Sequence, residues 1–299
     1  MTDPTTPVVI SRPAGSEWVG FSPGRVATIA RNTFTEAVRQ KVFNILLVFA
    51  LVVIGTASLF AEFTFSEQLK FVKDFCLGTI AVFGTLIAIV GTAQLLPNEV
   101  ENRTIYTILA KPVRRSEFLL GKYMGSVLLI FMSLVLMSLM FGGALLYKEQ
   151  RLIAAAREEA PSVTAADLQQ EVQQIQAVTF DPDLVKAVLL IFIKLALLAA
   201  ITLLVSTFST SMVFNVTVAF MILIAGHLVG TAKDMWADNR LAVWLLGIIP
   251  DLGSFNIADD IILGNAIPWA HVVKVALYGL MYLVCVVAGA HFIFADREI

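Results

Sequence analysis

Lys194 stands between Ile193 and Leu195, well inside an apolar run that extends from Leu184 to Ser206. A lysine at the centre of a helix in hydrocarbon costs about 2.5–3.5 kcal/mol on insertion scales. Its ammonium therefore either faces a water-filled path, where it attracts anionic groups, or is carried by its long stem to the headgroups. No acidic residue occupies the middle of an apolar run to pair with it, which argues against a proton relay built from carboxylates. Asn215 and His227 also fall inside apolar runs, as does Gln94. Such side chains hydrogen-bond between helices or line a path, so Lys194, Asn215 and His227 are the candidate translocation residues.

Other familiar chemistry is missing. No Gly-Lys pair is followed by Ser or Thr, so the chain has no phosphate-cradling loop for ATP. It has neither a His-Glu-x-x-His zinc helix nor a Gly-x-Ser-x-Gly hydrolase turn. His227, His271 and His291 lie far apart, and Cys76 and Cys285 sit in apolar runs without ligand-like spacing. No metal site and no cofactor of the chain's own is expected. A net charge of only −2 gives no reason to expect a nucleic acid partner.

The densest cluster of chemically active side chains runs from Pro97 to Arg115. Glu99 and Glu101 stand at the start of a short helix, where the dipole favours negative charge, and Pro112 ends it. Ile105, Ile108 and Leu109 make one apolar patch among charges that include Arg103. This suits docking into a groove on a soluble partner; the plainer reading is a solvated loop on the membrane surface.

The elements that position these residues follow from composition. Hydrophobic residues make up 58% and charged residues 15%, against about 45–50% and about 25% in soluble domains. The excess comes in long runs, and a spanning helix needs about 20 such residues. Six stretches qualify: Val42–Ala61, Phe75–Leu96, Tyr123–Tyr147, Leu184–Ser206, Met212–Gly230 and Val272–Phe294. Leu241–Ile249 is too short to span and stops at Pro250-Asp251. It predicts a re-entrant or interfacial segment covered by protein. Residues 1–24 lack a secretory signal pattern, so the first span is expected to do the targeting.

Lys and Arg near the helix ends set orientation. Arg12, Arg25, Arg31, Arg39 and Lys41 precede the first span, and Arg103, Lys111, Arg114, Arg115 and Lys122 follow the second. Segment 148–183 is acidic in balance. Both termini and 97–122 are thus expected in the cytoplasm, with 148–183 and 231–271 outside. Val26, Ile29, Ala30, Phe34, Ala37 and Val38 recur at helical spacing beside basic residues, which predicts an amphipathic helix in the headgroup plane. Within 148–183, Leu168, Val172 and Ile175 form a stripe that usually packs on a neighbour. Gly84, Ala88, Gly91 and Thr92 on the second span, and the Gly121/Gly125 pair, invite close approach of a helix from this chain or a partner. The expected fold is an all-α integral membrane protein. Residues 1–41 form a cytoplasmic tail and interfacial helix, and 42–299 a six-helix transmembrane domain with a short re-entrant segment before the last helix.

The run Asn98-Glu99 through Arg103-Thr104-Ile105, then Leu109-Ala110-Lys111-Pro112-Val113 and Arg115, resembles the loop after the second helix of ABC-2-type permeases. Pro250-Asp251-Leu252 with Phe255-Asn256, then Tyr278 and the ending Phe294-Ala295-Asp296-Arg297-Glu298, is similar to permeases of the nitrous-oxide-reductase maturation and gliding-motility type. The resemblance implies a permease subunit of an ABC exporter in the cytoplasmic (inner) membrane, working as a homodimer or heterodimer. ATP and Mg would be bound by a separate ABC ATPase subunit. Residues 97–122 would be the coupling loop, and an extracytoplasmic accessory protein would be a further partner. The competing classes are a membrane-embedded enzyme using His227 or His271 with Asp259 and Asp260, and a self-sufficient channel or secondary carrier.

Overall fold

The computed structural model describes residues 21–63, 68–101, 114–158, 165–179, 181–236 and 238–296. Its helices are α1 (Pro23–Val38), α2 (Lys41–Phe60), α3 (Gln68–Ala93), α4 (Leu95–Glu101), α5 (Arg115–Glu158), α6 (Ala165–Thr179), α7 (Asp183–Phe208), α8 (Met212–Met235), α9 (Arg240–Leu246), α10 (Ala258–Leu263) and α11 (Trp269–Asp296). No strand occurs among the described residues. Six helices, α2, α3, α5, α7, α8 and α11, are long and apolar enough to cross a membrane. The chain is an all-α integral membrane protein.

The spans do not share the interior equally. In the most apolar stretch of each helix, 72% of residues are buried in α7 and 61% in α3, against 22% in α8 and 17% in α11. So α7 and α3 form the centre, with α5 and α2 packed against α3, and α8 and α11 laid on the outside of α7. Lipid tails are as apolar as leucine, so close packing rather than escape from water selects these contacts. The small residues of α3 serve it: a Cβ at Gly84 would stand 2.6 Å from Leu195 Cδ1 of α7. Several hydroxyls within the spans bond back to their own helix, as Thr202 does to the Leu198 carbonyl at 2.8 Å.

Three elements depart from the sequence expectation. The helix of the third span continues without a break past Tyr147. Helix α5 runs for 44 residues, about 66 Å at 1.5 Å per residue against about 30 Å of hydrocarbon. Its last turns pair with α6, whose Leu168, Val172 and Ile175 are half-buried. The amphipathic helix α1 does not merely lie in the headgroup plane. Its Ala30, Thr33 and Ala37 are buried, because Gly121 and Gly125 open a groove on α5 that admits them. A Cβ at either glycine would stand 2.6 Å from Ile29 or Thr33 carbon. The Gly121/Gly125 pair therefore receives a helix of its own chain.

The third departure concerns the short apolar piece before the last span. Leu241, Trp244, Leu245 and Ile248 on and just after α9 are exposed, so no described part of the chain covers them. The segment that enters the bundle is the next one, 250–256. Leu252 and Phe255 are buried, and the Leu252 N–H donates to the Gly226 carbonyl of α8 at 2.9 Å. This approach needs glycine, since a Cβ at Gly226 would meet the Pro250 carbonyl oxygen at 2.9 Å. Irregular backbone at membrane depth survives where protein buries it. Asp251 closes the bend by accepting from the Gly253 and Ser254 N–H groups at 3.0 and 3.3 Å.

Candidate functional site

Helices α7 and α8 bring Lys194 and His227 together midway along their lengths. Lys194 Nζ lies 3.0 Å from His227 Nε2, and His227 Nδ1 lies 2.9 Å from the Leu223 carbonyl oxygen one turn earlier. A carbonyl only accepts, so Nδ1 carries the proton and Nε2 accepts from the lysine. Two N–H groups cannot point at each other across this contact, so the pair carries at most one positive charge. Among the described residues no carboxylate comes within ion-pair distance of Lys194. Lys194 itself is buried, whereas His227 is exposed on the outer face of α8.

Asn215 does not join them. It lies twelve residues before His227 on α8, about 18 Å along the axis. Its Nδ2 donates to the Ala93 carbonyl at the end of α3, 3.1 Å away, satisfying a carbonyl that the helix terminus leaves without an intrahelical partner.

A second set gathers at the α1 end. The Glu117 carboxylate accepts from the Ser22 N–H at 2.7 Å, from Arg25 Nε and Nη2 at 2.8 and 2.7 Å, and from the Arg114 N–H at 3.2 Å. The last bond is the return half of a capping box, a glutamate in the first turn reaching back to the residue before the helix. Arg115 Nη1 donates to the Phe294 carbonyl of α11 at 3.3 Å. Glu99 on α4 is buried, and its Oε1 lies 2.5 Å from Lys122 Nζ. Glu101 is the last residue of α4, and Arg103, Ile105, Ile108 and Leu109 lie outside the described residues.

A family model for ABC-2 family transporter proteins matches residues 27–298. The chain belongs to that family. Members are membrane permease subunits of ABC transporters and generally work with an ABC ATPase. Among curated proteins no match is found.

In this ABC-2 chain the residues that carried the resemblance near the last span meet in space. The Tyr278 hydroxyl accepts from the Asp251 N–H at 2.8 Å, the Tyr278 ring lies 6.3 Å from Phe255, and the Tyr282 hydroxyl donates to the Gly247 carbonyl. Together they pin the 250–256 segment to α11.

The far end of the ABC-2 bundle holds polar residues that the sequence reading passed over. Lys73 donates to Asp181 at 3.1 Å, and Lys186 donates to Asp183 at 2.5 Å and to the Ile267 carbonyl at 2.7 Å. Asp183 accepts from the Ile267 N–H at 3.0 Å, and Lys186 lies 5.0 Å from the centre of the Trp269 ring. Of these groups, Lys73, Asp181 and Asp183 border a cavity of about 400 Å³ between α3, the end of α6 and α10. Lys73 and Lys186 both follow the acid-rich end of a loop or open a span, and that placement was the available signal. Spacing along the chain did not reveal which acid each would meet.

Proposed function

We propose that this ABC-2 chain is the membrane subunit of an exporter in the cytoplasmic (inner) membrane, with the α1 end in the cytoplasm and the α5–α6 hairpin outside. Two copies, or one copy and a related permease, rest on ABC ATPase subunits that bind ATP and Mg. The observation that carries this reading is family membership over nearly the whole chain, in a sequence with no ATP-binding loop of its own. The basic residues around α1 and the start of α5 favour the same orientation.

The segment 97–122 is the coupling element. Ile105, Ile108 and Leu109 fill a groove on the ATPase, Glu101 and Arg103 set register, and Glu99 anchors the segment to α5. Lys194 and His227 present one positive charge toward the translocation path, so a passing anionic group would find its counter-charge there. Asn215 serves helix packing at the cytoplasmic side of that path. The outer hairpin is the contact for an extracytoplasmic accessory protein.

Purification of the tagged chain from its native membranes in mild detergent tests this. An ABC ATPase should be recovered in equimolar amount, with ATP turnover above that of the free ATPase. Recovery without any ATPase, together with ion conductance or solute exchange in vesicles containing the chain alone, would replace this reading with a self-sufficient channel or carrier.

A further inference from the structure

Lys122 counts in the sequence as one more basic residue voting for orientation, yet its side chain is 2% exposed. Its ammonium lies between two carboxylates of unequal standing. Glu99 of α4, with a side chain 11% exposed, is 2.5 Å away, and Glu36 of α1, 45% exposed, is 3.8 Å away. The same ammonium lies 5.9 Å from the Phe118 ring, which stacks on Phe294 of α11 at 6.0 Å. One side chain of α5 therefore touches the segment leading to the coupling loop and the interfacial helix, and reaches the last span through one aromatic ring.

An ion pair out of water moves as a unit, because separating it strands a charge that water cannot reach. The looser, wetter arm to Glu36 lets α1 follow without being locked. We propose, on the reading that 97–122 receives the ATPase, that Lys122 is the positioning residue through which displacement of α4 reaches α5 and α1. Removing its charge would uncouple α4 from α5 and α1 while its packing on α7 remains, without altering the apolar triple expected to meet the ATPase.

Hydrogen exchange on the complex with its co-purified ATPase tests this, comparing the nucleotide-free state with ATP plus vanadate. In the wild type, exchange should change together in peptides covering 95–101, 115–126 and 23–38. In Lys122→Met and in the isosteric Glu99→Gln the change should persist at 95–101. At the other two segments it should fall by about fivefold or more, the lower end of ordinary coupling. Lys122→Arg, which keeps the charge, should restore it. A purely architectural role would lower the melting temperature of both variants while leaving the three segments coupled, and that result overturns the proposal. So does a Lys122→Arg variant that behaves like Lys122→Met. If Lys122→Met is not recovered folded, Glu99→Gln decides alone. A wild-type chain that retains no ATPase, or shows no ATP-dependent change even at 95–101, removes the permease reading and this proposal with it.

Discussion

The α1 end and the mid-height of α7 handle their cations in opposite ways. At the α1 end, Lys122 meets Glu99 and Arg25 meets Glu117, so each positive charge is matched and each pair ties helices that are distant in sequence. At mid-height, the described residues offer Lys194 only the His227 imidazole. A matched pair near the membrane edge is a cross-link, and breaking it strands a carboxylate. The unmatched lysine in the middle contributes no such link and carries an electrostatic cost in hydrocarbon. The first arrangement suits transmission of force, the second the reception of a charge that arrives from elsewhere.

Five experiments can break or sharpen this contrast. The largest effect should come from changing Ile105, Ile108 and Leu109 together to Ser. Truncating buried apolar anchors at an interface costs more than about 1–2 kcal/mol each. The variant should insert normally but lose the ATPase on purification, whereas charge reversal at Arg103 should mainly slow assembly. A triple variant that keeps a fully stimulated ATPase would remove the coupling assignment from this end of the molecule.

Orientation comes next, as an all-or-none reading. An impermeant thiol reagent applied to intact cells should label Gln169→Cys and spare Thr104→Cys. The reverse pattern would place the cross-linked end outside and undo its link to the ATPase.

The fit of α1 on α5 should be sensitive to any side chain in its groove. Gly125→Leu places carbons where Thr33 and the Ala30 carbonyl now stand, and overpacking of this kind costs about 1–3 kcal/mol. Protease cleavage at Arg31 or Arg39 should accelerate while self-association is unchanged. Unchanged cleavage with lost self-association would mean that the groove serves a second copy instead.

Lys194→Met and Lys122→Met should differ in the sign of their effect on stability. The first removes a costly cation and strands no carboxylate among the described residues, so the melting temperature should hold or rise while transport falls. The second leaves Glu99 without Lys122 as its counter-charge and should lower the melting temperature by several degrees. Full transport by Lys194→Met would favour a lysine that only snorkels to the headgroups. The smallest effect belongs to Trp244→Ala on the exposed face of α9, within about 0.5 kcal/mol as for surface sites generally. A loss well beyond that would show that a partner covers α9.

How much of this was legible in the sequence follows the range of the forces involved. Length and hydropathy are properties of a single segment, so the spans could be read one by one, and the start of α2 differs from its expected position by one residue. That the third span and the charged stretch after it form one unbroken helix was not legible, although nothing in Lys148, Glu149 or Arg151 breaks a helix. Lys194 and His227 could each be singled out as polar groups in apolar runs, but their pairing needs α8 to lie on α7 at one rotation.

By itself the sequence determined the solvent this chain lives in, its helical class and its family, because apolar runs and short motifs are local and survive without knowledge of packing. Only the tertiary structure decided which glycine groove receives α1, that segment 250–256 enters the bundle while α9 stays exposed, and that Lys122 pairs with Glu99. Each of those outcomes depends on helix rotations and close approaches set by steric fit between segments far apart in the chain, which no single stretch of residues encodes.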